Sequence, residues 1–490
     1  MPSASPALSK SRFMAGLQCL KRLYLECYER QRSLPIDAFG RAVLETGRAV
    51  GTLARGRFPG GTLIDPRLDH DRAEEMTRAV LEDRTVPALY EGAFSSDGLR
   101  IRVDVLVRAR GGRFDLVEVK STTSVKPEHR WDVAVQLHAL EGAGVGVRRA
   151  YLVHLNRGYV HHGGEYRLEQ LFASEDLTVE ARALRNDVRK MAARMRSALD
   201  AEEPPPLKVG AHCETPYTCP FYDHCHDGLP PDPFAVLPRV TSKLRARLSR
   251  AGIGAIEEIP LDFRGLSLVQ RRALEAVRSG KRIVAPGVRR ALAKLAFPVH
   301  FVDFETLAPA IPLYVGTRPY DAIPVQWSVH VLDRGGRLRH REFLHETADD
   351  PRREFALRLL EATRGEGSVV VYSDFEDRRL ADLEAALPDL SGDLRKLRRR
   401  LFDLLPLVRN DVYDPVFGGS FSMKAVLPAI VPGLGYDELE ISDGGLASVA
   451  LAEMMSPETS PERRRALRRN LLAYCRRDTE ALVALFRALR

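Results

Sequence analysis

An α/β fold in two domains, joined by a small helical linker, is predicted by three features of this 490-residue sequence. Residues 103–120 alternate apolar and polar side chains around a Gly111-Gly112 turn, the pattern of a strand hairpin set among helices. From Phe297 to Arg490, short apolar runs alternate with helical patterns, as in a strand–helix domain. Between these regions, Leu229-Pro230-Pro231-Asp232-Pro233 marks a boundary. The expected domains are therefore 1–228 and 297–490, with residues 229–296 as the linker. In the linker, Ala251-Gly252-Ile253-Gly254-Ala255-Ile256 forms a turn between two helical patterns.

The length allows an ample core, and 44% hydrophobic with 29% charged residues is ordinary for a soluble globular chain. A net charge of +8 suits a polyanionic partner, although much of the arginine is scattered along helix surfaces. Runs such as Arg395-Lys396-Leu397-Arg398-Arg399-Arg400 and Arg463-Arg464-Arg465 are expected as solvated faces able to track phosphate. No segment approaches the roughly 20 apolar residues needed to span a bilayer. Met1 to Leu8 carry no signal-peptide pattern, so a cytoplasmic protein is expected. Six cysteines in so long a cytosolic chain do not read as a disulfide framework.

In the first domain a basic amphipathic helix is expected from Ser11 to Arg30, and another from Leu177 to Leu199, stopped by Pro204-Pro205-Pro206. Asp104 interrupts the apolar strand Val103–Val107, and the return strand Phe114–Lys120 presents Glu118 and Lys120 on one face, two residues apart. Two carboxylates hold a divalent cation, and a neighbouring lysine orients water or stabilises charge on a phosphate. A helix then carries Gln136, with Asp132 one turn before it. Three cysteines, Cys213, Cys219 and Cys225, are spaced through a polar, proline-bearing loop, which favours ligation over burial as small hydrophobes. Cys19 is the first choice for a fourth thiolate and Cys27 the reserve. Spacing looser than a Cys-x-x-Cys knuckle fits an iron–sulfur cluster better than zinc. His161-His162 reads as a loop.

In the last domain, Val299–Thr306 is an apolar strand ending in Asp303-Phe304-Glu305, whose carboxylates share a face. Such a pair can hold two metal ions about 4 Å apart, the arrangement for phosphodiester hydrolysis. A second strand, Ser368–Tyr372, leads into Ser373-Asp374-Phe375-Glu376. Asp403 follows a further strand and reads as structural. On a final helix Tyr474 and Asp478 stand four apart, on one face.

Residues 1–228 resemble the RecB-like branch of the PD-(D/E)xK nucleases, which includes iron–sulfur-containing CRISPR-associated members. The resemblance is carried by Ser11–Leu25 with Cys19, by Asp104, Glu118-Val119-Lys120 and Gln136, and by Cys213, Cys219 and Cys225. It implies a restriction-endonuclease-like core in which Asp104 and Glu118 bind magnesium or manganese. Lys120 would assist the attacking water, Gln136 would support the site, and the cysteines would hold the cluster, of the 4Fe–4S type. The chain departs from the family at Gly51, where a histidine ligand is usual, and at Ala139 and Leu140, where a tyrosine is common.

Residues 297–490 resemble the DEDD exonucleases of the DnaQ-like, RNase H-like superfamily. That resemblance implies a mixed-sheet domain with Asp303, Glu305 and Asp478 as metal ligands and Tyr474 orienting the nucleophilic water. The third carboxylate is Glu376, with Asp374 as the alternative. Over almost its whole length the chain is also similar to a bacterial family that fuses the two domains, through His154–Tyr159, Gly418–Lys424 and Tyr474–Thr479.

The expected function is that of a metal-dependent nuclease on DNA with single-stranded ends, in repair or defence. A 3′-5′ exonuclease centre is expected in the last domain and an end-trimming centre in the first. Two other readings stay open. In one, the first domain is an inactive clamp feeding a C-terminal exonuclease that acts on RNA. In the other, the whole chain is a non-enzymatic nucleic-acid-binding scaffold.

Overall fold

The structure is a computed structural model and describes residues 6–490. Met1–Ser5, part of the leader-free reading of residues 1–8, lie outside the described residues. The fold is α/β, as the sequence predicts. Two compact units emerge: one runs to Leu229 and also takes in Pro309–Tyr320, and the other comprises Pro230–Ala308 and Asp321–Arg490. Among the described residues no helix is long and apolar enough to cross a membrane.

The first unit is built on a seven-stranded sheet. Its strands are β1 (Leu8–Ser9), β2 (Thr62–Leu63), β3 (Ala88–Ser96), β4 (Leu99–Arg108), β5 (Phe114–Lys120), β6 (Val147–Leu155) and β7 (Phe172–Asp176). The order is β2-β3-β4-β5-β6-β7, with β1 parallel to β4. Antiparallel β4 and β5 are joined through Gly111 and Gly112, whose φ values of +73° and +68° favour glycine. β5 and β6 are parallel, so the chain must cross over between them, and the helix Pro127–Gly142 does so. That helix is buried from His129 to Leu140 apart from Arg130 and Trp131, and it packs against the sheet and the helices Lys10–Gln18 and Arg185–Leu199. Val50 and Ala54 of the helix Ala38–Arg55 pack in a second apolar cluster with Val105, Val117 and Val153.

The opening helix expected over 11–30 is two helices, Lys10–Gln18 and Leu20–Tyr28. They break at Cys19, whose backbone is extended (φ −164°, ψ 125°). The late helix is likewise split, into Thr178–Ala183 and Arg185–Leu199. His161 lies in a loop, as expected, and is buried there by Pro309–Tyr320: its N–H donates to Thr317 O at 2.9 Å and its carbonyl accepts from Gly316 at 2.8 Å.

The second unit holds a five-stranded sheet of β9 (Val299–Leu307), β10 (Ile323–Leu332), β11 (Leu338–Leu344), β12 (Val369–Val371) and β13 (Leu401–Asp403), in the order β11-β10-β9-β12-β13. A small pair, β8 (Ile283–Val284) with β14 (Val412–Tyr413), stands apart. Central β9 is antiparallel to β10 and parallel to β12. It is buried on both faces. Val299 and Phe301 meet the final helix, Pro461–Leu489, whereas Val302 and Phe304 meet Phe355 and Leu359 of the helix Arg352–Ala362. The residues expected as a connector supply Leu244, Leu248, Ala273 and Leu274 to this unit's core, from the helices Ser242–Arg250 and Leu268–Ser279.

Candidate functional site

In the second unit the two-residue period of β9 carries Asp303 and Glu305 to the same face as Phe301, the face covered by the final helix. Asp478 comes from that helix. One carboxylate oxygen from each of Asp303, Glu305 and Asp478 lies within 4.8 Å of the other two. Burial, then Asp478, Glu305 and Glu376, push the Asp303 carboxyl well above its usual range. Burial with Asp478 and Glu376 does the same to Glu305. Asp478 is raised less, to about 6, because Tyr436 and Lys424 offset its burial. Like charges this close, out of water, resist ionising together; a cation relieves them.

The helix Phe375–Ala386 starts just after Asp374, and its first turn buries Glu376. Burial pushes Glu376 up to about 8, and its Oε2 has no hydrogen-bond partner. Asp374 is exposed and accepts from Arg378 at 2.5 Å. The structure thus places Glu376 toward the acidic cluster and Asp374 in solvent, although Glu376 is outside the group of three that share the 4.8 Å spacing. Asp403 ends β13 and caps the next helix, accepting from Leu405 N–H at 2.9 Å.

Three further residues at this centre carry no expected role from the sequence, although Lys424 and Cys475 fall in the stretches Gly418–Lys424 and Tyr474–Thr479 that carry a family resemblance. The Tyr436 hydroxyl donates to Asp478 Oδ1 at 2.5 Å, and its ring lies 6.1 Å from that of Tyr474. Lys424 Nζ stands 6.0 Å from the Tyr436 ring centroid. Cys475 is fully buried, with Sγ 3.5 Å from Asp303 Oδ2. No periodicity links a residue at 424 or 436 to one at 478, so only folding brings them together.

In the first unit Glu118, 1% exposed, is ringed by donors. Lys120 Nζ stands 2.7 Å from its Oε1, and Gln136 Nε2 donates to its Oε2 at 2.7 Å. Lys10 Nζ lies 3.0 and 3.1 Å from the two oxygens. Burial alone would raise Glu118; Lys10 and Lys120 more than offset it and hold the carboxyl far below its usual range. Asp104 accepts from Val119 N–H at 2.7 Å and is raised to about 7 by burial and by Glu118. Asp132 pairs with Lys120, and its Oδ1 lies 3.5 Å from Lys10 Nζ. Lys10 was missed in the sequence. It is set by Ser9, which caps Arg12 N–H at 3.2 Å and belongs to β1 beside β4. Gly51 lies in the helix Ala38–Arg55, where an added Cβ meets nothing within 4 Å.

Cys19, Cys213, Cys219 and Cys225 line one recess with Lys21, Arg22 and Lys208. Gln18 ties the two sides together, donating to His212 O at 2.8 Å and Tyr217 O at 2.7 Å. Cys27 instead packs against the apolar cluster of the first unit.

Fold and sites together describe an α/β protein with a clustered-carboxylate centre in one unit and a lysine–carboxylate centre in the other. Residues 300–422 match the domain family described as a domain of unknown function, DUF2779. A solved structure, the crystal structure of SSO0001, is similar over 40% of this chain and 77% of its own, at 13% identity and a TM-score of 0.20. No curated protein matches the chain.

Proposed function

We propose that the chain is a metal-dependent nuclease that hydrolyses phosphodiester bonds of DNA, with its principal centre in the second unit. The observation that carries this reading is the convergence of Asp303, Glu305 and Asp478 oxygens within 4.8 Å. Such a donor set, all hard carboxylate oxygen, suits magnesium or manganese. The unpartnered Glu376 Oε2 leaves acceptor capacity beside it. When bound, the metal supplies charge stabilisation at the phosphoryl group and acidifies the attacking water. Tyr474 would orient that water, and Tyr436 would hold Asp478 in its rotamer. A mixed sheet, antiparallel on one side of β9 and parallel on the other, agrees with the RNase H-like, DEDD exonuclease resemblance, from which 3′-5′ polarity would follow.

Asp104, Glu118, Lys120 and Gln136 would form the second, end-trimming centre. The four cysteines would hold an iron–sulfur cluster. All four thiols line one recess with Lys21, Arg22 and Lys208, whose charge would offset that of a thiolate-ligated cluster.

A second reading, in which the first unit is an inactive nucleic-acid clamp, is favoured by one observation. Lys10 places an ammonium on both oxygens of Glu118, the place a cation would take. The test is cleavage of 5′- and 3′-labelled single- and double-stranded DNA and RNA with magnesium or manganese and an EDTA control, comparing Asp303→Ala with Asp104→Ala. Loss in both variants supports two centres, and loss in Asp303→Ala alone supports the clamp. No metal-dependent cleavage by the unmutated protein would sink the enzyme reading.

A further inference from the structure

We propose that the cavity bounded by Arg239, Tyr372, Arg409 and the loop Gly418–Met423 is a subsite for a backbone phosphate of the nucleic-acid strand, delivered to the acidic centre by Lys424. This inference rests on the nuclease reading of that centre and adds to it where the strand is gripped.

The cavity measures about 550 Å³. Its two arginines have no ion-pair partner within 4.0 Å among the described residues, and neither has Lys424. Three cations with no ion pair inside that distance, two in the cavity and one at the acidic cluster, suit a polyanion.

The loop is built to hold its shape. Gly418 and Gly419 have φ of +57° and +80°, and a Cβ on Gly419 would stand 2.4 Å from Ala235 O. The Tyr413 hydroxyl accepts from Gly419 N–H at 3.1 Å and donates to Val236 O. Tyr372 fastens the far side of the loop, donating to Phe421 O at 2.9 Å. Ser420 and Ser422, 3.2 Å apart through their hydroxyls, add donors to the cavity wall. A rigid wall holding donors and cations binds phosphate without first being ordered.

The residue that follows the wall in sequence belongs to the acidic centre. Lys424 follows Met423, the last lining residue, and its Nζ stands 6.0 Å from the ring of Tyr436, whose hydroxyl is on Asp478. Its charge acts on both Glu305 and Asp478. Lys424 is thus placed to receive the phosphate adjoining the cluster, while Arg239 and Arg409 hold one further along the strand.

The experiment uses the full chain and its Arg409→Ala, Arg409→Lys and Lys424→Ala variants, with a single-stranded DNA oligonucleotide and the matching RNA. Binding is followed by fluorescence anisotropy in EDTA over a salt series, and cleavage is followed in magnesium. Removing one phosphate contact lowers the slope of log K against log salt by about 0.7. The slope should fall that much in Arg409→Ala and be retained in Arg409→Lys, with KM raised at least fivefold and kcat within twofold. Lys424→Ala should lower kcat at least tenfold. A slope loss on either polymer supports the subsite and names the polymer. Unchanged slope and KM in Arg409→Ala, with cleavage intact, overturn the subsite while leaving the nuclease reading standing. Absent cleavage by the unmutated protein removes that reading, and the slope comparison still decides whether the cavity binds phosphate.

Discussion

Lys10 Nζ lies 3.0 and 3.1 Å from the two carboxylate oxygens of Glu118, across 108 residues of sequence. Glu118 is almost wholly buried, so it needs compensation, and it receives it from two ammonium groups and an amide. Lys10 therefore stabilises the first unit whatever chemistry occurs there.

Lys10→Met, which keeps the bulk and removes the charge, is expected to destabilise the first unit by about 1–3 kcal/mol, since buried Glu118 loses one of its two ammonium partners. Urea unfolding of the full chain, read by hydrogen exchange in β5, measures this. An unchanged protection of β5 would contradict the assignment.

The acidic cluster makes the metal-free protein pH-sensitive. Glu376, raised to about 8, and Asp478, raised to about 6, bind protons more tightly when folded than when unfolded. Stability therefore falls as pH rises from the unfolded carboxyl range, near 4, through those values. Glu376→Gln should raise the metal-free thermal midpoint at pH 8 by an amount worth about 2–4 kcal/mol, and change it little at pH 4.5. Calorimetry at the two pH values in EDTA tests this; an equal shift at both would rule out the electrostatic cause.

Cys19 and Cys27 sit eight residues apart, yet only Cys19 shares the recess with Cys213, Cys219 and Cys225. Cys19→Ser is expected to lose bound iron and sulfide and to make residues 200–228 sensitive to protease. Cys27→Ser should keep both properties. Iron and sulfide analysis of anaerobically purified protein decides it, and iron retained by Cys19→Ser would remove that residue from the ligand set.

Tyr436 holds Asp478 through a hydrogen bond to a charged acceptor, a contact worth about 1.5–3 kcal/mol. Tyr436→Phe should therefore lower kcat about tenfold to a hundredfold with KM nearly constant. A raised KM with unchanged kcat would instead make Tyr436 a binding residue.

The legible parts of the site are those separated by a structural period. Asp303 and Glu305 share a face because a strand repeats every two residues, and Tyr474 and Asp478 because a helix repeats every 3.6. The choice between Asp374 and Glu376 turns on where the helix starts. Sequence placed both beside Phe375; the first turn buries one and leaves the other with Arg378 in solvent. The opening helix was legible, but its break at Cys19 was not, because nothing local marks an extended residue there. Lys10 and Tyr436 were invisible for a different reason. A single lysine or tyrosine carries no pattern, and the partner lies 42 residues away for Tyr436 and 108 for Lys10.

By itself the sequence determined what short-range periodicity and residue chemistry dictate: the α/β class, the carboxylates paired on one face of a strand, and the thiols clustered late in the first domain. The tertiary structure alone decided which charges meet. It brought Lys10 onto Glu118, Asp478 to Asp303 and Glu305 of β9, and Cys19 rather than Cys27 to the recess. The physical reason is range. Local propensities act over a few residues, whereas the burial that makes a charge seek a partner exists only once distant segments have closed over it.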